Sequence, residues 1–357
     1  MTNSGLEGIS VADTAISDVD GERGRLVIAG LDVEQLAQTS TFEQAAARVL
    51  GAGAATTVPP LDLARGRLAA WELVPRVGDA LDQPDGMDAL RTALAHLRPT
   101  GHDLDDALAA IAAAPVFVAA WGRRRAGQPA IAPDPALGHA ADYLRMSTGG
   151  AAEPAAVRAL EGYLVTVVDH AMSASTFTAR VIASTASDLI SALVGAVGAL
   201  KGPLHGGAPG PVLDMLDAIG EPARAEAWLV GELAANRRIM GMGHRVYRVR
   251  DPRAAVLELC VRPLSSPRLA LARAVEAAAT KILAERKPDR PLAANVEFYT
   301  AVLLDAVGLP REQFAPTFAV SRIAGWSAHV LEQRRTGRLI RPASRYVGAL
   351  PAVATGG

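Results

Sequence analysis

Hydrophobic positions along this chain recur mostly at helical spacing, and the exceptions gather near the N-terminus. There, Ile16-Ser17-Asp18-Val19-Asp20-Gly21 and Arg25-Leu26-Val27-Ile28 alternate around a turn, which predicts a short hairpin within residues 1 to about 35. Beyond it, Phe42–Val49, Met87–Leu97 and Leu104–Ala112 read as helices, divided by Pro and Gly clusters at 58–60, 83–86 and 99–101. The stretch from Glu153 to Leu200 is the most apolar. Within it, Ala174-Ser175-Thr176-Phe177-Thr178-Ala179-Arg180 is expected to open one long, buried helix of small residues that Gly202 and Pro203 stop. A second helical zone covers about 210 to 308. An apolar helix follows over Phe314–Gln333, and a basic tail, Arg334-Arg335-Thr336-Gly337-Arg338, leads to Arg341-Pro342. There is no internal repeat and no low-complexity linker. The expectation is an all-α fold with one short β-hairpin.

Composition narrows this picture. At 357 residues the chain exceeds what one core usually spans, so two domains are expected. Half the residues are hydrophobic and only 4% aromatic, and the Ala-rich apolar stretches favour helix over strand. A net charge of −1 offers no global field for nucleic acid, so an anionic ligand must be caught by local arginines. Cys260 is the only cysteine. It excludes an intramolecular disulfide, fits a reducing compartment, and reads as a small buried hydrophobe rather than a nucleophile. The first residues show neither a signal-peptide pattern nor an Arg-rich transit pattern, and the longest charge-free apolar run, read as Leu189–Leu200, is too short to span a bilayer. A cytoplasmic protein with no membrane partner is expected. Strand signals are too few for a dinucleotide-binding sheet, and Walker A and H-E-x-x-H patterns are absent, so neither cofactor nor metal is expected.

Three segments hold the candidate chemistry: Gly202-Pro203-Leu204-His205-Gly206-Gly207-Ala208, Gly241-Met242-Gly243-His244-Arg245-Val246-Tyr247 and Asn295-Val296-Glu297-Phe298-Tyr299. Each places one ionisable group among small or apolar neighbours. A histidine between glycines can be approached closely by a ligand. A carboxylate beside apolar residues, if buried, becomes a stronger base. Two such histidines and an isolated carboxylate suit proton chemistry at a carbon next to a carbonyl.

In order, these segments resemble the active-site signature of the citrate synthase family. The resemblance spans nearly the whole chain, from Leu6-Glu7-Gly8 and Thr14-Ala15-Ile16-Ser17 through Ala174–Arg180 to Phe318-Ala319-Val320-Ser321-Arg322-Ile323-Ala324-Gly325-Trp326-Ser327-Ala328-His329. It implies a large helical domain (1–207 and 313–357) and a smaller helical domain (208–312) that closes over the site. It implies condensation of acetyl-CoA with oxaloacetate, then hydrolysis of citryl-CoA. By position, Glu297 matches the general base, His205 the group that stabilises the thioester enol or enolate, and His244 the group that polarises the ketone. His170, Arg253, Arg322 and Arg341 match the oxaloacetate ligands, with Arg341 supplied across a homodimer interface. Met240, Gly241, Gly243 and Asn295 match the CoA-binding backbone.

The chain departs from the family pattern at four places. Glu297 stands where Asp is usual, Ala29 where the Tyr-Arg-Gly motif has arginine, and Ser173 and Pro209 where asparagine is usual. The alternatives are a 2-methylcitrate synthase that takes propionyl-CoA, and a catalytically weak paralogue that binds CoA or a dicarboxylate. One methylene in a pocket discriminates by only about 1–3 kcal/mol.

Overall fold

The computed structural model describes residues 5–6, 8–205, 209–286 and 292–349. The predicted hairpin is present as β1 (Ser17–Asp20) and β2 (Arg25–Ile28), paired antiparallel with Ser17 opposite Ile28, and a two-residue β3 (Leu31–Asp32) adds a third strand. Helices make up the rest. First come α1 (Val33–Thr39), α2 (Phe42–Ala54), α3 (Ala64–Trp71), α4 (Gly86–Leu94), α5 (Asp103–Arg125), α6 (His139–Thr148) and α7 (Pro154–Thr166). Then follow α8 (Ala174–Ala183), α9 (Leu189–Leu200), α10 (Pro209–Ile219), α11 (Ala225–Ala234) and α12 (Pro252–Val261). Last are α13 (Pro267–Arg286), α14 (Val296–Ala306) and α15 (Phe314–Thr336).

Local chemistry explains the boundaries. Thr41 and Gln44 form a reciprocal capping box at the start of α2, and Asp85 accepts from the Met87 and Asp88 N–H groups to start α4. One expected helix is two. The run from Ala174 to Leu200 breaks between α8 and α9, because Ser184 and Thr185 turn their hydroxyls back onto the carbonyls of Val181 and Ile182. Ala186 then takes a left-handed conformation at φ 64°, and Asp188 caps a new helix by accepting from the Ser191 N–H at 2.8 Å.

The longest apolar helix is α5, not the run at 189–200. By length and composition α5 could cross a membrane, yet 78% of its most apolar window is buried inside the fold. It packs against α3, α4, α6 and α15. The central element is α15, buried at every position from Pro316 to Val330 and flanked by α2, α5, α8 and α9. α12 packs between α14 and α7, which joins the second helical zone to the first.

Two of the four departures have simple structural answers. Ser173 caps α8 by accepting from the Thr176 N–H, as an asparagine side chain would. Pro209 opens α10, where its missing N–H costs little. Cys260 lies against Gly162, and burial pushes its thiol up to about 11, in keeping with a packing role.

Candidate active site

The site is assembled from one long helix, three loops and the first turns of α12 and α14. Arg322 projects from α15 into the interior, where its Nε donates to the Val167 carbonyl at 2.8 Å. Its Nη2 is buried without a hydrogen-bond partner, so one face of the guanidinium remains available to a ligand. Burial lowers Arg322 to about 10, with Arg253 adding to the effect and Asp169 opposing it, and it stays a cation at neutral pH.

Beside it, the segment Asp169–His170 is held by a buried polar chain. Ser17 donates to Asp169, and the Ala171 N–H donates to Ser17 Oγ at 2.8 Å. His329 Nε2 lies 3.3 Å from Asp169 Oδ2. Arg180 in turn donates from Nε to His329 Nδ1 at 3.0 Å and pairs with Glu332. These contacts fix the loop that carries His170.

The second wall begins at residue 240. The backbones of 241–243 and 293–295 pair: the Gly243 N–H donates to Ala293 at 2.7 Å and the Asn295 N–H to Gly241 at 2.9 Å. The Asn295 amide also donates to the Gly243 carbonyl at 2.8 Å. Met240, Gly241, Gly243 and Asn295, the residues expected to bind CoA, thus lie on one strip of paired backbone. The two glycines serve the protein's own packing as well as any ligand. A Cβ on Gly241 would meet Phe298 at 2.8 Å and one on Gly243 would meet Leu292 at 2.9 Å, and both have positive φ.

His244 leads the loop that follows. Its Nδ1 accepts from the Val246 N–H at 3.0 Å and the Tyr247 N–H at 3.2 Å. Since backbone N–H groups only donate, Nδ1 carries no proton, and Nε2–H of the neutral ring is the free donor. His205 has the opposite arrangement. Its Nε2 accepts from the Ser175 N–H at 3.2 Å and lies 2.8 Å from Ser175 Oγ, so Nδ1 carries the proton, and the ring also hydrogen-bonds its own backbone carbonyl. Burial, together with Arg322 for His205 and Arg253 for His244, pushes each ring down to about 4. Both are neutral donors at pH 7.

The His170 ring lies edge-on to His244, with centroids 5.5 Å apart, and its Nε2 is 3.1 Å from the Tyr247 hydroxyl. Burial and the charges of Arg253 and Arg322 hold His170 well below its usual range. Arg253, buried on the first turn of α12, is gripped by Asp251 through Nε at 3.0 Å and Nη2 at 2.7 Å. Burial opposes its charge, but Asp251 wins and its pKa is raised. Asp251 Oδ2 also accepts from the Val296 N–H at 3.2 Å, which ties Arg253 to the start of α14.

Glu297 stands on the first turn of α14, where Asn295 caps the helix. Its Oε2 is buried without a partner, and the buried Tyr163 hydroxyl lies within electrostatic reach of it. Burial pushes Glu297 up to about 7, against the pull of Arg253 and Arg322. Of the expected residues, His170, His205, His244, Arg253, Arg322 and Glu297 therefore share one electrostatic neighbourhood. Arg341 does not join it within this chain. It is exposed in the extended segment after α15 and lines a hollow with Ile9, Phe177 and Arg180.

Asp251, Ser175 and Trp326 were not singled out by their chemistry. Asp251 had a readable signal, since Asp before Pro at the first position of a helix is a capping pattern. Trp326 donates from Nε1 to Ser175 Oγ at 3.1 Å and lies four residues after Arg322, on the same face of α15.

A family profile described as "Citrate synthase, C-terminal domain" matches residues 5–343. The chain belongs to the citrate synthase family. It is 37% identical to citrate synthase of Deinococcus radiodurans, an alignment covering 97% of this chain and 95% of that protein. It is 38% identical to 2-methylcitrate synthase of Mycobacterium tuberculosis, covering 96% and 90%. In structure it matches citrate synthase from Thermoplasma acidophilum, solved as a ternary complex with carboxymethyl coenzyme A and oxaloacetate. There the TM-score is 0.85 at 26% identity, over 97% of this chain and 96% of that one. As a citrate synthase family enzyme it is an acyltransferase of the condensing type, and the helical fold with its small N-terminal sheet is that of the family.

Proposed function

We propose that this enzyme condenses acetyl-CoA with oxaloacetate through an enol or enolate to citryl-CoA, whose thioester is then hydrolysed by water to citrate and CoA. The observation that supports this most is the pattern of protonation in the site. Two neutral histidines each have one ring nitrogen occupied by backbone N–H donors and the other left as an N–H donor. Facing the same arginines is one carboxyl group pushed up to about 7.

A thioester α-carbon is a weak acid. A carboxylate can remove its proton only if the oxygen charge is stabilised as it forms, and a preorganised neutral donor in a water-poor site does this. Glu297 takes the methyl proton while His205 Nδ1–H hydrogen-bonds the thioester oxygen. The enol carbon then attacks the oxaloacetate ketone, which His244 Nε2–H polarises and protonates. Arg253 and Arg322 grip the dicarboxylate in the planar, two-pronged manner of guanidinium groups, and His170 adds a further contact. Met240, Gly241, Gly243 and Asn295 present the backbone on which CoA lies. No step requires a metal or a resident cofactor.

The reading includes a cytoplasmic homodimer in which Arg341 completes the partner's site. It also includes a large domain (1–207, 313–357) on which a small one (208–312) closes to exclude water. Its exposed position after α15 suits Arg341 to reach another copy. A place in the tricarboxylic acid cycle follows if acetyl-CoA is the substrate.

The similarity to 2-methylcitrate synthase favours one second reading, use of propionyl-CoA. Oxaloacetate-dependent release of CoA thiol, compared for acetyl-CoA and propionyl-CoA at equal concentration, decides between them. Faster release with acetyl-CoA is expected. Faster release with propionyl-CoA would move the assignment, and no release with either would leave a binding protein.

A further inference from the structure

The N-terminal hairpin does more than cap the core. At its start, Ser17 donates to Asp169 and accepts from the Ala171 N–H, so β1 holds the loop that carries His170. At its end, the turn between β1 and β2 lies against the loop that carries His244. There the Arg248 N–H donates to the Gly21 carbonyl at 2.9 Å. Asp20 Oδ1 accepts from the Glu22 and Arg23 N–H groups at 3.1 and 2.9 Å, which stiffens the turn at this contact.

The fit is too close for any side chain. A Cβ on Gly21 would meet the Val246 carbonyl oxygen at 2.3 Å, and one on Gly24 would meet Val249 Cγ2 at 2.6 Å. Val246 is the residue whose N–H, with that of Tyr247, holds His244 Nδ1. Tyr247 closes the circuit by bonding His170. One four-residue strand therefore touches both histidine loops, one at each end.

We infer that the turn Asp20–Gly24 is a positioning element of the reaction site, with Gly21 and Gly24 admitting the backbone that orients His244 toward the ketone. The inference rests on the role given to His244 above. Ordinary contact begins near 3.4 Å, so a methyl group at Gly21 forces the Val246 carbonyl or the turn to move by about 1 Å. Displacement of about 1 Å at a reacting group can cost about 100-fold in rate.

The test compares Gly21→Ala with Gly101→Ala in the full-length protein. Gly101, unlike Gly21, has positive φ, and nothing lies near its missing Cβ, so its variant strains the backbone away from the site. Gly21→Ala is expected to lower kcat by 10- to 100-fold with little change in KM for the acyl-CoA, and to speed amide hydrogen exchange in the 244–250 peptide. Gly101→Ala is expected to lower the thermal midpoint and keep kcat within twofold.

A second pair guards against a misfolded variant. Gly24, like Gly101, has positive φ, and its Cβ would meet Val249 Cγ2 at 2.6 Å and the Arg250 carbonyl oxygen at 3.2 Å. Gly24→Ala should therefore lose activity, and adding Val249→Ala should restore at least fivefold of it by removing the nearest obstructing methyl group. Turnover and exchange in Gly21→Ala equal to wild type would overturn the inference. So would a double variant no better than Gly24→Ala alone. If wild-type protein releases no thiol with either thioester, the functional reading has failed, and the exchange comparison still decides whether the turn holds the loop.

Discussion

The two walls of the site are built differently. The α15 wall carries Arg322 and braces His170 through Asp169, His329, Arg180 and Glu332, buried side chains joined in one chain of hydrogen bonds and ion pairs. The opposite wall is made of loop and helix-start backbone, and among the described residues it leaves Oε2 of Glu297 buried without a partner, while His205 Nδ1 and His244 Nε2 carry the ring protons. A connected buried network gives rigidity and fixed charge. Orphaned polar atoms are costly unless a ligand completes them. On the α15 wall the open site atoms among the described residues are Arg322 Nη2 and Asp169 Oδ1. An open guanidinium nitrogen suits a substrate carboxylate, so the contrast assigns binding to the braced wall and bond-making to the opposite one.

Exchanging the carboxylate should break this contrast most severely. Glu297→Gln keeps the shape and removes the base, so condensation should fall by about 10²–10⁴-fold while oxaloacetate still binds, as calorimetry would show. Undiminished turnover would dismiss Glu297 as the base. Removing the ring donor by His205→Ala should cost about 10²–10³-fold in kcat. KM for oxaloacetate should change little, because His205 is assigned to the thioester. A large change in oxaloacetate KM with kcat preserved would place His205 on the other substrate.

Asp251→Ala tests the Arg253 ion pair on the opposite wall. Losing one member of a buried ion pair destabilises by about 3–5 kcal/mol, because the other charge is left uncompensated. Asp251 also holds the start of α14 through Val296. A lower thermal midpoint and weaker oxaloacetate binding are expected together. A stable variant with normal affinity would show that the Arg253 guanidinium needs no fixed partner.

Much of this was legible in the sequence, for identifiable reasons. The hairpin, α2, α4, α15 and the all-α class follow from local periodicity and breakers. His205, His244 and Glu297 lie in Gly-rich or apolar surroundings that stand out from their neighbourhoods, whereas His170, Arg253 and Arg322 are reached only through the resemblance to the family. The break after α8 was not legible from periodicity, since a Ser-Thr-Ala-Ser-Asp run differs little from the small-residue helix around it; only its hydroxyl back-bonds and the Asp188 cap separate the two helices. Periodicity also reads α5 too short, as Leu104–Ala112, whereas the helix runs on through Pro115 to Arg125. Ser175 and Trp326 act through contacts 30 and 151 residues apart in sequence, which no local pattern encodes.

The Glu297 ionisation predicts a moderate effect with a definite sign. A base must be deprotonated, and this one is pushed up to about 7. At subsaturating substrate, kcat/KM should therefore rise with pH through about 7 and level off above it. His205 and His244, pushed down to about 4, stay neutral throughout that range and contribute no second step. A profile already flat from pH 5.5 upward would mean that the carboxylate is solvated in the working enzyme.

The smallest effect expected belongs to Trp326→Phe, which sharpens the boundary between the walls. Trp326 sits on α15, the binding side, yet its indole N–H donates to Ser175 Oγ, the atom 2.8 Å from His205 Nε2. With the indole occupying a lone pair, the Ser175 proton is free to point at His205 Nε2 and reinforce the tautomer set by the Ser175 N–H. One neutral hydrogen bond is worth about 1 kcal/mol, or about fivefold. Loss of the indole should therefore lower kcat by roughly threefold to tenfold, chiefly through His205. Oxaloacetate affinity should hold, since the Arg322 bond to Val167 is untouched. If affinity falls instead while kcat is kept, Trp326 serves the binding wall alone, and the tautomer of His205 is fixed by the Ser175 backbone without help from α15.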